Sequence, residues 1–181
     1  DYMFFSGKLL FESQGYNADH VYKLNMEDNP DAQPADEDTR YEIAMALLDR
    51  IRQYPGVEAA SMSKAAIPYP SWGYNQSFQI NEDTLYYGMS YRMADPEFFE
   101  VFKIEFIKGK SFQFDPSGAV KEVVISPHRD GKFGSYPDGK FPVNDVRTIH
   151  YNDEEYIVTG VIEKMKNYHT DPFKSNVFAP I

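Results

Sequence analysis

The sequence has no cysteine among its 181 residues. Disulfide bridges and thiolate metal sites are therefore excluded, while the redox compartment is left open. Long hydrophobic runs are missing as well, since no stretch approaches the roughly 18 apolar residues of a membrane-spanning helix. The apolar start, Tyr2-Met3-Phe4-Phe5, is interrupted by Ser6-Gly7-Lys8, and no signal-peptide pattern is visible. Basic residues are in short supply, with 18 Lys and Arg against 28 Asp and Glu and a formal charge of −10. That balance argues against a nucleic-acid duplex or an anionic membrane surface as the main partner, because both repel a net negative protein. No basic patch longer than Lys164–Lys166 offsets it.

Catalytic signatures are equally scarce. The histidines are His20, His128, His150 and His169, and none has a second His, Asp or Glu at the helix-face spacing of a metal ligand set. His128-Arg129-Asp130 is the most polar such cluster, but Pro127 and Gly131 beside it make a surface loop sufficient explanation. Glu27–Asp38 gathers oxygen ligands without the Asp-x-Asp-x-Asp-Gly spacing of a calcium loop, and reads as a solvated acidic stretch. There is no Gly-x-Ser-x-Gly elbow, no Walker lysine loop and no dinucleotide glycine fingerprint. Carboxylate pairs are everywhere in so acidic a chain, so none can be singled out without geometry. The expectation is a protein with no catalytic residues, no cofactor and no metal.

What is present is a scaffold. Thr39 and Glu42 have the Ser/Thr-x-x-Glu spacing of a capping box. Behind them Ala44, Leu47, Leu48 and Ile51 form an apolar stripe, with Asp49, Arg50, Arg52 and Gln53 on the watered side. The pattern predicts a helix from Arg40 to Gln53, stopped by Pro55-Gly56 and followed by a strand over Val57–Ser63. Upstream, Asp1–Ser13 reads as a short helix and His20–Met26 as a strand. Downstream, strands are predicted at Gln76–Ile80, Leu85–Ala94, Ile104–Phe106, Glu122–Ser126 and Val177–Phe178. A hairpin is expected from Thr148–Tyr151 and Tyr156–Val161. Asp95-Pro96-Glu97 opens a short helix with Asp95 as its cap, and that helix carries Phe98, Phe99 and Phe102 inward.

The chain holds 14 Tyr and 14 Phe but one Trp. Tyr69, Trp72, Tyr74 and Phe78 are the candidate partner-binding residues: an exposed aromatic surface for a protein partner, or a platform for sugars. For any single one of them, covering the edge of a core is the stronger reading, with Trp72 the best exception.

The order of motifs carries more than any one of them. Gly-Tyr-Asn-Ala-Asp-His-Val-Tyr leads into the amphipathic helix and Tyr-Pro-Gly-Val-Glu-Ala-Ala-Ser. Ala-Asp-Pro-Glu-Phe-Phe-Glu-Val-Phe, Lys-Gly-Lys-Ser-Phe, Val-Val-Ile-Ser, Lys-Phe-Gly and Tyr-Ile-Val-Thr-Gly-Val-Ile then follow. Over about Gly15–Ile181 this series resembles the periplasmic core domain of MacB-type permeases, the membrane subunits of a class of ABC transporters. The resemblance implies an α+β fold: a porter-like βαβ unit, half of a ferredoxin-like arrangement, plus an inserted, mostly β subdomain with one or two short helices. Residues 1–64 would hold the membrane-proximal segment and the first βαβ half, and residues 65–181 the inserted subdomain. Two departures stand out: the helix expected after Val-Val-Ile-Ser is reduced to Pro127–Gly131, and the second porter half does not follow. The first and last residues read as cuts from something longer, and the two strands of the βαβ half would then lack the neighbour that normally separates them.

The function so implied is non-catalytic. The domain would sit on the extracytoplasmic side of the cell membrane and relay ATP-driven movement to an exported substrate or a periplasmic adaptor. Its partners would be the permease's own transmembrane region and a separate or fused ATPase domain, with a homodimer as a further possibility and no nucleic acid. The rival reading is a free-standing secreted module that binds carbohydrate or peptide through its aromatics.

Overall fold

Asp36 opens the helix α1 (Glu37–Arg52), its side-chain oxygen accepting the Thr39 amide at 2.8 Å. The cap is thus Asp36 and not Thr39: its extended backbone, φ −64° and ψ 169°, lets the side chain reach back to the free amide three residues on. The computed structural model describes residues 15–24, 36–64, 66, 74–81, 86–113, 121–127, 132–133, 141–165 and 175–181. The helix expected at Asp1–Ser13 and most of the acidic Glu27–Asp38 stretch lie outside these residues, as does His128-Arg129-Asp130. Within α1, Ala44 and Leu48 are buried and Ile51 half-buried, but Leu47 is 41% exposed. The inward stripe is narrower than the four predicted residues, since Leu47 is rotated toward Ile43, which is also exposed.

The strands are β1 (Ser63–Lys64), β2 (Tyr74–Ile80), β3 (Tyr86–Ala94), β4 (Phe106–Gly109), β5 (Glu122–Ser126), β6 (Lys132–Phe133), β7 (Phe141–Pro142), β8 (Thr148–Tyr151), β9 (Glu154–Ile162) and β10 (Asn176–Pro180). A four-residue helix α2 (Phe98–Val101) follows β3. The molecule is α+β, with strands dominating, as expected. β8 and β9 form the predicted hairpin, whose turn residues Asn152 and Asp153 both have positive φ, 51° and 62°.

Pairing runs β3-β10-β5-β9-β8-β2, and β2 returns to β3, so six strands close into a ring. Each of these strands sends side chains into one cluster: Phe78 and Ile80, Met89, Val123 and Ile125, Ile149, Val161, Val177 and Ala179. Alternation puts their neighbours on the outer surface, where Ala94, Val124, Ile162 and Phe178 pack under Phe98, Phe99 and Phe102. A single chain segment therefore serves two cores, one inside the barrel and one beneath α2. The register slips by one residue where Val123 faces Val158 and Val124 faces Gly160. That bulge returns Val161 to the same interior as Val158 across three positions instead of two. β4 lies so close to β9 that a Cβ on Gly109, which has φ +71°, would meet the Thr159 carbonyl.

Two predicted strands do not form ladders. Residues 20–24 carry no strand pairing, with Tyr22 and Leu24 exposed. Of Val57–Ser63 only Ser63 pairs, with Ala94, and Lys64 extends the contact to Met93. A strand needs a neighbour to accept its backbone bonds, and no described strand lies beside residues 57–62. Those residues instead make isolated contacts, among them Asp95 N donating to the Met62 carbonyl at 3.0 Å. The strand predicted at Ile104–Phe106 starts at Phe106 and runs on to Gly109.

Candidate functional site at the junction of helix and barrel

Asp95 directly follows β3, at the position expected to cap α2. Its backbone carbonyl does take the Phe98 amide, at 3.2 Å, but its carboxylate turns the other way, toward α1. There Oδ2 accepts the Met62 amide at 2.9 Å and the Arg52 Nη2 at 3.2 Å. Arg52, in the last turn of α1, also donates through Nε to the Ala60 carbonyl at 3.1 Å. The same guanidinium meets Glu97 at 3.2 Å and Asp49 at 3.5 Å. One arginine thus ties together the helix end, the connecting segment and the start of α2.

The electrostatics of this cluster are uneven. The Asp95 side chain is 3% exposed, while Glu97 and Asp49 reach water. Burial pushes the Asp95 carboxyl above the usual carboxylate range, opposed by hydrogen bonds from Ser61 and the Met62 amide and by the Arg52 charge. Its Oδ1 is buried without a hydrogen-bond partner. Burial, with the Asp95 charge second, also raises the Tyr41 hydroxyl. Among the described residues no three His, Cys, Asp or Glu cluster to hold a metal.

Two further polar features are internal. The fully buried Arg92 donates from Nε to Asn176 Oδ1 at 2.7 Å and from Nη1 to the Ala66 carbonyl at 3.2 Å. Asn176 in turn donates to Ser126 Oγ at 2.7 Å, so three barrel strands share one buried network. Elsewhere Tyr91 and Tyr151 stack at 5.9 Å beside Phe78. Burial, followed by the hydrogen bond to Glu154, pushes the Tyr156 hydroxyl up to about 12.

Of the four aromatics chosen from sequence, Phe78 is the one whose side chain is among the described residues. Phe78 is 1% exposed and packs inside the barrel against Tyr151 at 5.1 Å, so it is corrected from partner-binding to core residue. It occupies an inward position of β2, and alternation leaves no other face for it. Tyr74 stands opposite Tyr91 in the β2–β3 register. Tyr69 and Trp72 lie outside the described residues. Large apolar groups are exposed on the outer side of α1 and its exit, with Ile43 57%, Leu47 41% and Tyr54 72% exposed, and also at Tyr22, Leu24, Ile107 and Ile157. Sequence reasoning missed Arg52 and Asp95. The two are 43 positions apart, and the Asp-Pro pair carried a sufficient local explanation as a cap.

Known proteins identify the class to which this arrangement belongs. The model of the MacB-like periplasmic core domain matches residues 7–181. The chain belongs to that family, the periplasmic domains of ABC-type transporter permeases. Solved structures similar to it include the periplasmic region of MacB from Actinobacillus actinomycetemcomitans, at 12% identity and a TM-score of 0.45, covering 75% of this chain and 54% of that one. The extracellular domain of the noncanonic ABC-type transporter YknZ from Gram-positive bacteria is 14% identical with a TM-score of 0.43, covering 74% and 59%. A domain of a putative permease protein from Porphyromonas gingivalis is 18% identical with a TM-score of 0.42, covering 74% and 55%. The chain spans just over half the length of each of these structures. No curated protein matches it significantly. Family membership therefore rests on the family model.

Proposed function

We propose that the chain is a non-catalytic extracytoplasmic domain that passes movement between the membrane-embedded part of its permease and an exported substrate or periplasmic adaptor. ATP would be hydrolysed by a separate or fused ATPase domain. Residues 1–64 would form the membrane-proximal segment and first porter half, and residues 65–181 the inserted subdomain. The observation that carries this reading is the family match over residues 7–181. The exposed apolar side of α1 adds to it, since an apolar surface beside an incompletely paired segment suits burial against further protein. A permease with Ile43→Asp and Leu47→Asp should fold but lose export, because the charges would enter that contact and not the core. Loss of export with unchanged thermal stability of the domain is the expected outcome; export at the wild-type rate would remove α1 from the relay. Tyr69, Trp72 and Tyr74 remain the proposed residues for a protein partner.

A further inference from the structure

One side of β4 is open. The strand pairs with β9 through Phe106, Lys108 and Gly109. Beyond that ladder, the hydrogen bonds of the described residues 106–110 are the Lys110 amide on the Thr159 carbonyl and Lys108 Nζ on the Asn144 carbonyl. Residues 107–110 are exposed, Ile107 by 53%. A strand edge with free amides and carbonyls is a template for another strand. Beside this edge lies an open groove of about 520 Å³. Its floor is apolar, made by the buried Phe99 and Ile104 and the half-buried Phe106, while the exposed Glu100, Lys103 and Glu105 stand around it. Ser111, just past β4, lines the same groove, and its Oγ is buried without a hydrogen-bond partner. A hydroxyl left unbonded there has a bond to give to an occupant.

We propose that β4 and this groove receive an extended, acidic peptide segment of another protein. The segment adds to the sheet beside β4, places a bulky apolar side chain in the groove and sets acidic side chains against Lys108 and Lys110. Main-chain hydrogen bonds supply affinity in such strand addition, and the side-chain contacts supply selectivity. The charges select this occupant. In a chain of formal charge −10, residues 103–110 carry Lys103, Lys108 and Lys110 against Glu105 alone, and none of these described lysines forms an ion pair. The groove is mixed in sign, with Lys103 beside Glu100 and Glu105, so the apolar side chain goes there. Lysines on an edge hold off a second copy of the same edge, and the net charge adds to that repulsion. An acidic partner meets neither barrier at this edge. The site goes beyond the relay reading, because recognition here requires no movement of the domain.

The test titrates two acetylated and amidated peptides into the isotopically labelled chain. Val-Phe-Thr-Glu-Thr-Glu suits a parallel strand and the reversed Glu-Thr-Glu-Thr-Phe-Val an antiparallel one; in both, Phe and the two Glu share a face. One of them should bind saturably, with amide shifts centred on residues 96–111. Replacing its Phe by Ala should weaken binding about tenfold or more, and so should Lys108→Glu combined with Lys110→Glu. Methylating the peptide's backbone nitrogens keeps the side chains and removes the strand bonds, and should abolish binding. Binding by neither peptide would overturn the proposal. A methylated peptide that binds as tightly as the plain one, or equal affinity for the charge-reversed chain, would do the same. Amide shifts at residues 106–110 that grow with protein concentration alone would assign the edge to a second copy and overturn the peptide partner. The substituted lysines are exposed, so the variant should melt with the unaltered chain, and the peptide changes test the site without any variant.

Discussion

At the scale of the residue, Asp95 sets the terms. A buried carboxylate is tolerated when a cation and hydrogen bonds compensate it, and removing the cation leaves the charge stranded. Arg52→Ala should therefore cost about 1–3 kcal/mol of stability at pH 7, read from urea midpoints. Asp95→Asn keeps an acceptor for the Met62 amide, removes the buried charge, and should cost about 1 kcal/mol or less. The double variant should lose less than the sum of the two. Additive losses would mean that the pair is not coupled. The pH dependence has a definite sign. Burial raises the folded value of Asp95 above its ordinary 3.8, so the folded chain binds this proton more tightly than the unfolded one. The contribution of this group is fully present below about 3.8 and is lost as pH rises through the folded value. Relative to Asp95→Asn, the unaltered chain should thus lose stability as pH climbs through that window. A gain instead would show that the Arg52 attraction outweighs burial.

At the scale of the element, closure of the barrel depends on a short seam. β2 meets β3 over six residue pairs but β8 over two, Gln79 with His150 and Ile80 with Ile149. Asn81, just past β2, strengthens this weak side. Its Oδ1 accepts the Arg147 amide at 2.8 Å and the Thr148 amide at 3.2 Å, and its own amide donates to the Thr148 carbonyl at 2.9 Å. Its φ of 52° lies in the left-handed region that asparagine tolerates better than most residues. Asn81→Ala forfeits both accepted bonds and strains the backbone, and should cost about 1–3 kcal/mol. Asn81→Asp keeps the acceptor and should recover most of that loss. Equal midpoints for Asn81→Ala and the unaltered chain would show that the two-pair ladder alone holds the seam.

At the scale of the whole molecule, the barrel interior and its outer phenylalanine layer form two core clusters built on shared strands, with Ala44 and Leu48 of α1 outside both. Amides of β3, β5, β9 and β10, each paired on both sides, should exchange only with global unfolding. Amides in the middle of α1 should exchange faster, by local opening. Uniform protection across α1 and these strands would instead make the helix part of the same unit. The net charge of −10 acts on this scale as well, adding a long-range repulsion from other anionic surfaces.

The sequence by itself determined the elements whose causes are local. The amphipathic period and the Pro55-Gly56 stop specify α1 to within a few residues, although the true cap, Asp36, lay one turn upstream of the spacing that Thr39 and Glu42 suggested. Alternation and turn residues specify the β8–β9 hairpin and the inward course of Phe98 and Phe99. The ordered motifs specify the family, since they survive as a series even where each is weak. Only the tertiary structure decided which face of α1 is covered, because Leu47 and Leu48 are equally apolar and burial depends on what lies opposite. It alone decided that His20–Leu24 and Val57–Met62 stay without ladders, since pairing belongs to two strands and not to one. Barrel closure is of the same kind: two residue pairs between β2 and β8 turn a sheet into a ring and move Phe78 from candidate surface to interior. The Arg52–Asp95 grip joins residues that local patterns assign to solvent and to a cap, and only the folded chain makes them neighbours at 3.2 Å, where burial of one charge gives the other its role.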